Sequence, residues 1–547
     1  MIDAARGFIE VGLKRIRLVC FIVVGILLLF LLYNYQLLPK TRAQTTPSYN
    51  LTVDAASPIS SFSSLIRGVA TNNWNYLWHG LWDRGAQYSC CPEGKYDAIV
   101  EATKLLKPGI IRFAGGLWAN SVGWNRANTA PDDGAWVYTD QATGTSYNYR
   151  HAYKPAMVDA FAKFSKDVGA QAIIQMNVCD NNPKLWADMA KYANIEKGYN
   201  FKYWELGNEQ TLSEAACVTA SEYADRFVSY RALLKAVDPS IKLLGPVPNQ
   251  PPFTGWYDTL IARAGTSLDV LTWHWYQLTE WTADKTAFAY EGGSVEALLA
   301  HDGNVGSVCH DGFGCTSSNP IGGNIVSGRL DRWEYRRGIA EAMMNYVKTN
   351  YKTKNPSMET AITEYGPHAV QHNNPINSNH IAAIWLADTL ARWAYNGLDI
   401  VTYYSLEDGN DGPNPDNSRG LLGIWDSNKI DVRPIYSTMF MYAQYFGDQM
   451  VKSSTSDPDE NVVVWASKDS KDVGKLKLML VNLKETSANT TINVNGFTAN
   501  SAVAYEMTSA YPLSLADPES YTEHSTTING VKIPDVTIGN LTAFRNA

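Results

Sequence analysis

The alternation of short apolar segments with longer amphipathic ones constrains the fold of this chain more than any other feature. Eight segments rich in β-branched residues are predicted strands, at 66–71, 110–115, 170–178, 203–208, 242–247, 270–276, 360–365 and 399–405. A segment with helical periodicity follows each one, at 96–106, 156–168, 184–192, 221–237, 255–264, 329–351, 378–396 and 435–446. Eight buried strands, each followed by a helix, predict an α/β protein with a (β/α)8 TIM barrel.

After residue 446 the pattern changes to short alternating strands separated by polar turns. These predicted strands lie at 462–466, 475–482, 490–494, 502–507 and 526–533. They indicate a C-terminal antiparallel β-sandwich over 447–547. A lone strand at 49–54 needs partners for its backbone groups, so we expect it to join the sandwich. The predicted domains after the N-terminal segment are a linker with this strand at 44–61, the barrel at 62–446 and the sandwich at 447–547.

The first 43 residues differ from the rest. An apolar run over 18–32 follows three basic side chains, Lys14, Arg15 and Arg17. With its flanking residues, the apolar run is close in length to the ~20 residues needed to cross a bilayer. Its uninterrupted part is shorter, and this length also suits a cleaved signal segment. Leading basic residues favour a cytoplasmic N-terminus. We therefore predict a cytoplasmic stub with a transmembrane anchor, or a signal segment, over 1–43. Everything after about residue 44 is expected at the cell surface or secreted.

The cysteines agree with export. Cys20 lies in the apolar run, and the other six form an even number, as expected in an oxidising compartment. Cys179 with Cys217 and Cys309 with Cys315 are candidate pairs, although the connectivity stays open. Because the chain contains no Cys-x-x-Cys motif, a zinc site is disfavoured, and no metal or cofactor is expected.

The charge distribution argues against a nucleic-acid partner. The formal net charge is −8, and the chain after residue 43 has no cluster of Lys and Arg. Nucleic-acid phosphates require such clustered positive charge.

Two carboxylates stand where strands of the predicted barrel end. Glu209 follows the fourth strand and Glu364 lies at the end of the seventh. Barrel enzymes place catalytic groups at this face, so closure would direct both side chains into one cleft. A pair of carboxyl groups, one protonated and one ionised, is what glycosidic bond cleavage requires.

Neighbouring strands supply groups that suit these roles. Arg112, near the end of the second strand, would keep a nearby carboxylate ionised. His274 and Tyr276 share one face of the sixth strand, and the tyrosine hydroxyl could donate to an ionised nucleophile. Asn208 could hold a sugar hydroxyl. Glu205 is interpreted as an interior acid outside the catalytic pair.

Aromatic residues in the predicted loops suit a sugar ligand. Trp74 follows the first strand and Trp118 the second. Flat apolar rings bind the C–H faces of sugars. The long segment 277–327 is predicted to be a lid or binding loop.

Two motifs carry a family resemblance. Trp-Glu-Leu-Gly-Asn-Glu at 204–209 and Thr-Glu-Tyr-Gly at 363–366 resemble the retaining glycoside hydrolases of clan A. Within that clan the chain is similar to the arabinofuranosidase and heparanase-like branches, which also carry a β-sandwich. The resemblance implies that Glu209 is the acid/base and Glu364 the nucleophile. It implies supporting roles for Asn208, Arg112, His274 and Tyr276.

The chain departs from the arabinofuranosidase pattern at three points. Ala114 stands where Pro is usual, and Leu117 stands where Asn is usual. A Trp that is common at the end of the eighth strand is absent from the segment of this chain that contains Tyr404. Tyr404 is a further candidate for substrate binding. These departures leave the sugar open. Arabinofuranoside is one interpretation, and an endo-acting or uronic-acid-directed enzyme and a non-catalytic glycan-binding barrel are the alternatives. Linkage, exo or endo action and oligomeric state also stay open.

Overall fold

The structure is a computed structural model. It describes residues 46–71, 95–131, 134–213, 215–251, 254–278, 324–326, 329–331, 337–368, 379–408, 419–423, 429–484, 486–509 and 526–537. The predicted anchor or signal segment, Trp74, most of segment 277–327 and five of the cysteines (20, 90, 91, 309 and 315) lie outside these residues. No helix in the described ranges has both the length and the apolar character needed to cross a bilayer.

The barrel is confirmed. Its strands are β1 (Gly68–Ala70), β2 (Ile110–Phe113), β3 (Gln171–Met176), β4 (Tyr203–Leu206), β5 (Lys242–Pro246), β6 (Val270–Leu278), β7 (Glu359–His368) and β8 (Ile400–Tyr404). All neighbours are parallel, and the ring closes between β8 and β1.

Among the described residues, a helix follows each barrel strand. The helices are α1 (Lys95–Leu106), α2 (Pro155–Val168), α3 (Pro183–Ala190), α4 (Ala220–Val237), α5 (Thr254–Ala264), α6 (Ile339–Val347), α7 (His380–Tyr395) and α8 (Pro434–Tyr445). Local signals set their ends. Thr219 and Glu222 form a capping box at the start of α4, and Gly169 ends α2 at φ +78°. Single π-helical turns, Lys191–Glu196 and Lys348–Lys352, extend α3 and α6.

One predicted helix is wrong at its start. The segment expected to be helical from residue 329 begins as a strand, Arg329–Asp331, which pairs with Asn324–Val326. The helix α6 starts only at Ile339. Cross-strand pairing, which is not visible in a local pattern, has overridden helical propensity here.

The barrel interior is apolar at one end and polar at the other. Seven strands contribute one buried side chain each to an apolar layer, namely Ile110, Ile173, Tyr203, Leu244, Val270, Ala361 and Ile400. Two residues further on, the pleat brings polar side chains into the same interior, including Arg112, Gln175, Glu205, Thr272 and Thr402. The functional groups are therefore collected at the C-terminal ends of the strands.

Loops on the barrel carry small sheets and short helices. Val122–Trp124 pairs with His151–Tyr153, and Trp136–Thr139 pairs with Ser146–Tyr149. After β8, Glu407–Asp408, Leu422–Gly423, Lys429–Val432 and the late strand Val536–Thr537 form a four-stranded sheet. In the part of the chain that the structure describes, 3-10 helices lie at Ser64–Arg67, Gly116–Asn120 and Gly265–Ser267.

A five-stranded sheet accompanies the barrel. Its order is Asp472–Asn482, Val462–Asp469, Gln449–Thr455, Ser48–Ser61 and Asn489–Asn495. The expectation that the N-terminal strand joins this sheet is confirmed. The sheet is mixed, however, because Ser48–Ser61 runs antiparallel to Gln449–Thr455 and parallel to Asn489–Asn495. The expected all-antiparallel arrangement is therefore wrong.

A second, three-stranded sheet comprises Met507–Ser509, Thr526–Ile528 and Val531–Lys532. The predicted strand 502–507 is largely wrong, because residues 501–506 have no regular structure, and Gln449–Thr455 was not predicted. The sandwich arrangement and the domain boundaries at 43, 61 and 446 stay predictions.

Candidate active site

Arg112 organises the polar end of the barrel. Its Nε donates to Glu205 Oε2 at 2.6 Å, its Nη1 to Glu364 Oε1 at 2.8 Å and its Nη2 to Asn208 Oδ1 at 2.9 Å. The side chain is fully buried. Burial lowers the pKa of Arg112, but the charges of Glu205 and Glu364 raise it above the ordinary arginine value. The guanidinium is therefore a fixed cation that orients three groups.

A register shift in β7 turns Glu364 toward Arg112. Trp273 lies opposite Ile362 in the ladder, whereas His274 lies opposite Glu364, so one residue of β7 is left over between these pairs. Glu364 Oε2 accepts from the Tyr276 hydroxyl at 2.7 Å. Burial raises the pKa of Glu364, but His274, Arg112 and the donated hydrogen bonds lower it to about 2 overall. Glu364 is thus held as a carboxylate.

Glu209 lies on a sharp bend after β4. Its own φ is +47°, and the preceding Gly207 has φ +74°. A Cβ on Gly207 would approach Val178 to 2.7 Å, so only glycine fits there. The bend presents the Glu209 carboxylate to His274, whose Nδ1 lies 2.7 Å from Glu209 Oε1.

The environments of the two carboxylates differ. The Glu209 side chain is 13% exposed, against 7% for Glu364. Arg112 Nη2 lies 3.4 Å from His274 Nε2 and can only donate, so Nδ1 is the nitrogen that donates to Glu209. Glu364 is therefore bound to a cation and a phenol, whereas Glu209 is hydrogen-bonded to an imidazole.

The carboxylates are close enough to act on one bond. His274 Nδ1 lies 3.7 Å from Glu364 Oε2. One oxygen each of Glu209 and Glu364 and one nitrogen of His274 all lie within 4.8 Å of one another. The same three atoms could serve as ligands for a cation. Because both oxygens of Glu364 already accept hydrogen bonds and Arg112 lies beside them, the set fits proton and glycosyl chemistry better.

Asn208 is fixed through its backbone and its side chain. Asn120 Oδ1 accepts from its N–H at 3.0 Å, and Asn120 Nδ2 donates to its carbonyl at 2.8 Å. Asn208 Oδ1 also accepts from Gln175 Nε2 at 3.3 Å. Within the described chain the buried Asn208 Nδ2 has no partner. This donor is available to a substrate hydroxyl.

Aromatic rings form one wall of the site. Tyr404 and Tyr276 pack together with Ala70, and both rings are nearly fully buried. The Arg419 guanidinium carbon lies 5.3 Å from the Tyr404 ring centre and 5.7 Å from that of Tyr276. Tyr404 thus lies beside the tyrosine that binds Glu364.

Trp118 lies in the 3-10 helix that ends with Asn120. It is half-buried, and its ring stacks on His151 and meets the edge of Tyr153. Its role in substrate binding stays a prediction.

The structure brings together six of the predicted site residues, Glu209, Glu364, Asn208, Arg112, His274 and Tyr276, and places Tyr404 beside them. It adds Gln175, Asn120 and Arg419, which the sequence analysis missed. Gln175 could have been found, because it lies two residues after the interior Ile173. Asn120 and Arg419 lie outside the barrel strands, where strand periodicity gives no signal.

A disulfide links the loops after β3 and β4. Cys179 and Cys217 are bonded, with their Cα atoms 5.6 Å apart. This candidate pair is confirmed, and it ties the loop that carries Glu209 to its neighbour.

Comparisons with known proteins agree with this architecture. The N-terminal domain of glycosyl hydrolase family 79 matches residues 170–287, which contain β3–β6, Glu209 and His274. A probable alpha-L-arabinofuranosidase C of Aspergillus fumigatus is 28% identical over 228 residues, which are 38% of this chain and 42% of that protein. The matched region thus spans less than half the length of this curated relative.

Solved structures show the same fold. The alpha-L-arabinofuranosidase of Thermotoga maritima, solved as an arabinose complex, is 17% identical with a TM-score of 0.59, covering 90% of this chain and 96% of that one. A xyloglucanase of glycoside hydrolase family 44 from Paenibacillus polymyxa is 15% identical with a TM-score of 0.53, covering 90% and 96%. The predicted resemblance to the glycoside hydrolases of clan A is confirmed by these matches.

Proposed function

We propose that this protein hydrolyses O-glycosidic bonds of extracellular poly- or oligosaccharides by double displacement with retention of configuration. Glu364 attacks the anomeric carbon while Glu209 gives its proton to the leaving oxygen, so that a glycosyl ester forms on Glu364 and an alcohol departs. Glu209 then removes a proton from water, which attacks the anomeric carbon and releases Glu364 as a carboxylate.

The observation that carries this proposal is the closeness of two carboxylates in unlike surroundings. Their nearest oxygens lie within 4.8 Å of each other. Retaining enzymes place the two carboxyl groups ~5–5.5 Å apart, whereas inverting enzymes need ~6.5–9.5 Å to admit a water. Arg112 and Tyr276 keep Glu364 ionised for attack, whereas Glu209 faces the cleft beside His274.

An α-L-arabinofuranoside is the sugar we propose first. The named relative and the Thermotoga maritima structure are both called alpha-L-arabinofuranosidase, and the fold comparison spans nearly the whole barrel and sheet region. A non-catalytic glycan-binding role is disfavoured, because both carboxylates and their partners are in place.

Azide rescue tests the two roles separately. With a 2,4-dinitrophenyl glycoside, Glu209→Ala should accumulate the glycosyl ester, and azide should convert it to a glycosyl azide of the same anomeric configuration as the substrate. In Glu364→Ala, azide should take the place of the carboxylate and give the opposite anomer. Full activity of either variant, or the same anomer from both, would reject the assignment. Proton NMR reads the product directly.

A second candidate, an enzyme directed at acidic sugars, is favoured by Arg419. The Arg419 guanidinium lies over Tyr276 and Tyr404, and its Nε has no hydrogen-bond partner among the described residues. Such a cation suits a sugar carboxylate. Under this candidate, Arg419→Met should lower kcat/KM for an aryl glucuronide and spare an aryl arabinofuranoside. Equal effects on both substrates would reject it.

We also propose a cellular location for the barrel. A disulfide between Cys179 and Cys217 fits an oxidising compartment, so we propose that the barrel works outside the cytoplasm. The choice between a membrane anchor and a secretory signal at residues 1–43 stays a prediction.

A further inference from the structure

The side chain of Gln210 connects the disulfide to the backbone at Glu209. Its Oε1 accepts from the Cys217 N–H at 2.9 Å, and its Nε2 donates to the Asn208 carbonyl at 3.2 Å. Gln210 is 2% exposed. One amide group therefore bridges the disulfide cysteine and the peptide group directly before Glu209.

The far side of the disulfide is itself fixed. Arg226 Nη1 donates to the carbonyls of Val178 and Cys179, at 2.7 and 3.1 Å. The Cys179 N–H donates to Asn177 Oδ1 at 2.7 Å. The disulfide thus ties the Glu209 loop to an anchored segment rather than to a second loose loop.

Glu209 needs such support because its backbone is strained. A non-glycine residue at φ +47° lies in the left-handed region and persists only when its surroundings impose it. The Glu209 N–H donates to Val247 O at 3.0 Å, and its carbonyl accepts from Leu212 at 2.9 Å. Glu364 is placed differently, by the β7 ladder and by donors from β2 and β6.

We propose that Gln210 and the Cys179–Cys217 disulfide form a bracket that positions Glu209 for proton transfer to the leaving group. This inference rests on the proposed function, in which Glu209 is the general acid. Gln210 is a positioning residue, since it acts through the backbone of Glu209. The bracket should govern protonation of the leaving oxygen and leave the attack by Glu364 nearly unchanged.

Changing the leaving group distinguishes an effect on protonation of the leaving oxygen from an effect on the attack by Glu364. A phenol is a poor leaving group and depends on the acid, whereas 2,4-dinitrophenolate departs with little help. Loss of acid placement therefore lowers kcat/KM steeply for phenyl glycosides and weakly for dinitrophenyl glycosides. A general loss of folded protein lowers both equally.

The experiment compares four variants on phenyl, 4-nitrophenyl and 2,4-dinitrophenyl glycosides of the sugar that the wild-type protein hydrolyses. Gln210→Met keeps the side-chain volume and removes both hydrogen bonds, and Cys179→Ser with Cys217→Ser removes the covalent tie. The matched control is Gln444→Met. Gln444 makes two comparable hydrogen bonds, with Lys107 Nζ and the Leu105 carbonyl, outside the site. Glu209→Ala serves as the reference for full loss of the acid.

Gln210→Met and the double serine variant should lose on the order of tenfold or more in kcat/KM on the phenyl glycoside, because a general acid contributes roughly 10²–10⁴. They should lose less than about threefold on the dinitrophenyl glycoside. If either behaves like Gln444→Met, or loses equally on all three substrates, the bracket is overturned while the proposed function stands. If Glu209→Ala itself shows no leaving-group dependence, the proposed acid fails and the bracket with it.

Discussion

At the scale of single residues, one cation sets the chemistry of the site. Arg112 binds Glu205, Glu364 and Asn208 at once and is fully buried. Glu205 is a second buried carboxylate bound to Arg112, so the positive charge of the guanidinium is shared between Glu205 and Glu364. The shared cation can hold Glu364 ionised and still orient Asn208 toward a substrate.

Tyr276→Phe should move the acidic limb of the pH profile of kcat/KM to higher pH. The hydroxyl of Tyr276 is among the groups that lower the pKa of Glu364, so its loss lets that pKa rise and Glu364 becomes protonated earlier as the pH falls. We also expect a loss of about tenfold or more at the optimum, since a donor to a reacting group is removed. Initial rates from pH 3 to 8 measure both.

The control for this variant is Tyr436→Phe. The Tyr436 hydroxyl is equally buried and donates to the Ala102 carbonyl at 2.6 Å, outside the site. It should lower stability and leave the acidic limb in place. An unmoved limb in Tyr276→Phe would contradict the assigned role of the hydroxyl.

A site residue could be predicted from the sequence where the end of a strand and the alternation of its side chains reveal the position. Glu209, Arg112, His274 and Tyr276 all follow from the position of a strand end. The inward turn of Glu364 depends on the register shift in β7, and register cannot be read from one strand alone. Asn120 lies in a 3-10 helix, Gly116–Asn120, which the periodicity of the sequence does not predict.

At the scale of elements, the contact between α7 and the five-stranded sheet rests on a buried ion network. Asp388 on α7 binds Arg337 and Arg392, and its Oδ1 accepts from Trp465 Nε1 at 3.0 Å. Arg392 Nη1 also donates to Glu460 at 2.7 Å. One carboxylate therefore connects the barrel helix to a strand of the sheet.

Asp388→Asn should destabilise the protein by about 3–5 kcal/mol, because it removes one partner from a buried ion network. Burial raises the pKa of Asp388, but Arg392 and Arg337 lower it to about 2 overall. Its contribution should be complete above an ordinary aspartate pKa of ~3.9 and should fall as the pH drops toward 2. Urea unfolding at several pH values measures the difference.

Asp472→Asn is the matched control, because its pair with Lys475 is exposed. It should change stability little at any pH. A difference between wild type and Asp388→Asn that stays constant from pH 7 to pH 2.5 would show that the charge of Asp388 is not the cause.

Strands and helices of the barrel were the most predictable elements, since both faces of each strand are buried and caps such as Thr219 mark the helices. The sheet elements were harder. Segment 501–506 alternates as a strand would but lies outside a ladder, and Arg329–Asp331 depends on pairing with Asn324–Val326. The secondary structure of these segments depends on their pairing partners rather than on their local sequence pattern.

At the scale of the whole molecule, the chain from Ser48 onward is one compact unit. Ser48–Ser61 enters the sheet before the barrel begins, and Gln449–Thr455 returns to pair with it after the barrel ends. The sheet therefore joins the chain segment before the barrel to the segment after it. Local pattern predicted that this strand needs partners but could not show which strands flank it.

Thermal unfolding should accordingly show a single transition for barrel and sheet. Calorimetry, together with far-ultraviolet circular dichroism and residual activity, should report the same midpoint, and Asp388→Asn should lower it without splitting it. Two separated transitions, with activity following only one of them, would show that the sheet unfolds independently.

Double displacement requires a covalent glycosyl ester on Glu364, which can be trapped and located. Wild-type protein is mixed with the 2,4-dinitrophenyl 2-deoxy-2-fluoro glycoside of its preferred sugar, quenched in acid, digested and mapped by mass spectrometry. We expect one added glycosyl mass on the peptide that contains Glu364 and on that carboxylate. A label on another carboxylate such as Glu205, or an unlabelled enzyme that releases an inverted product, would contradict it.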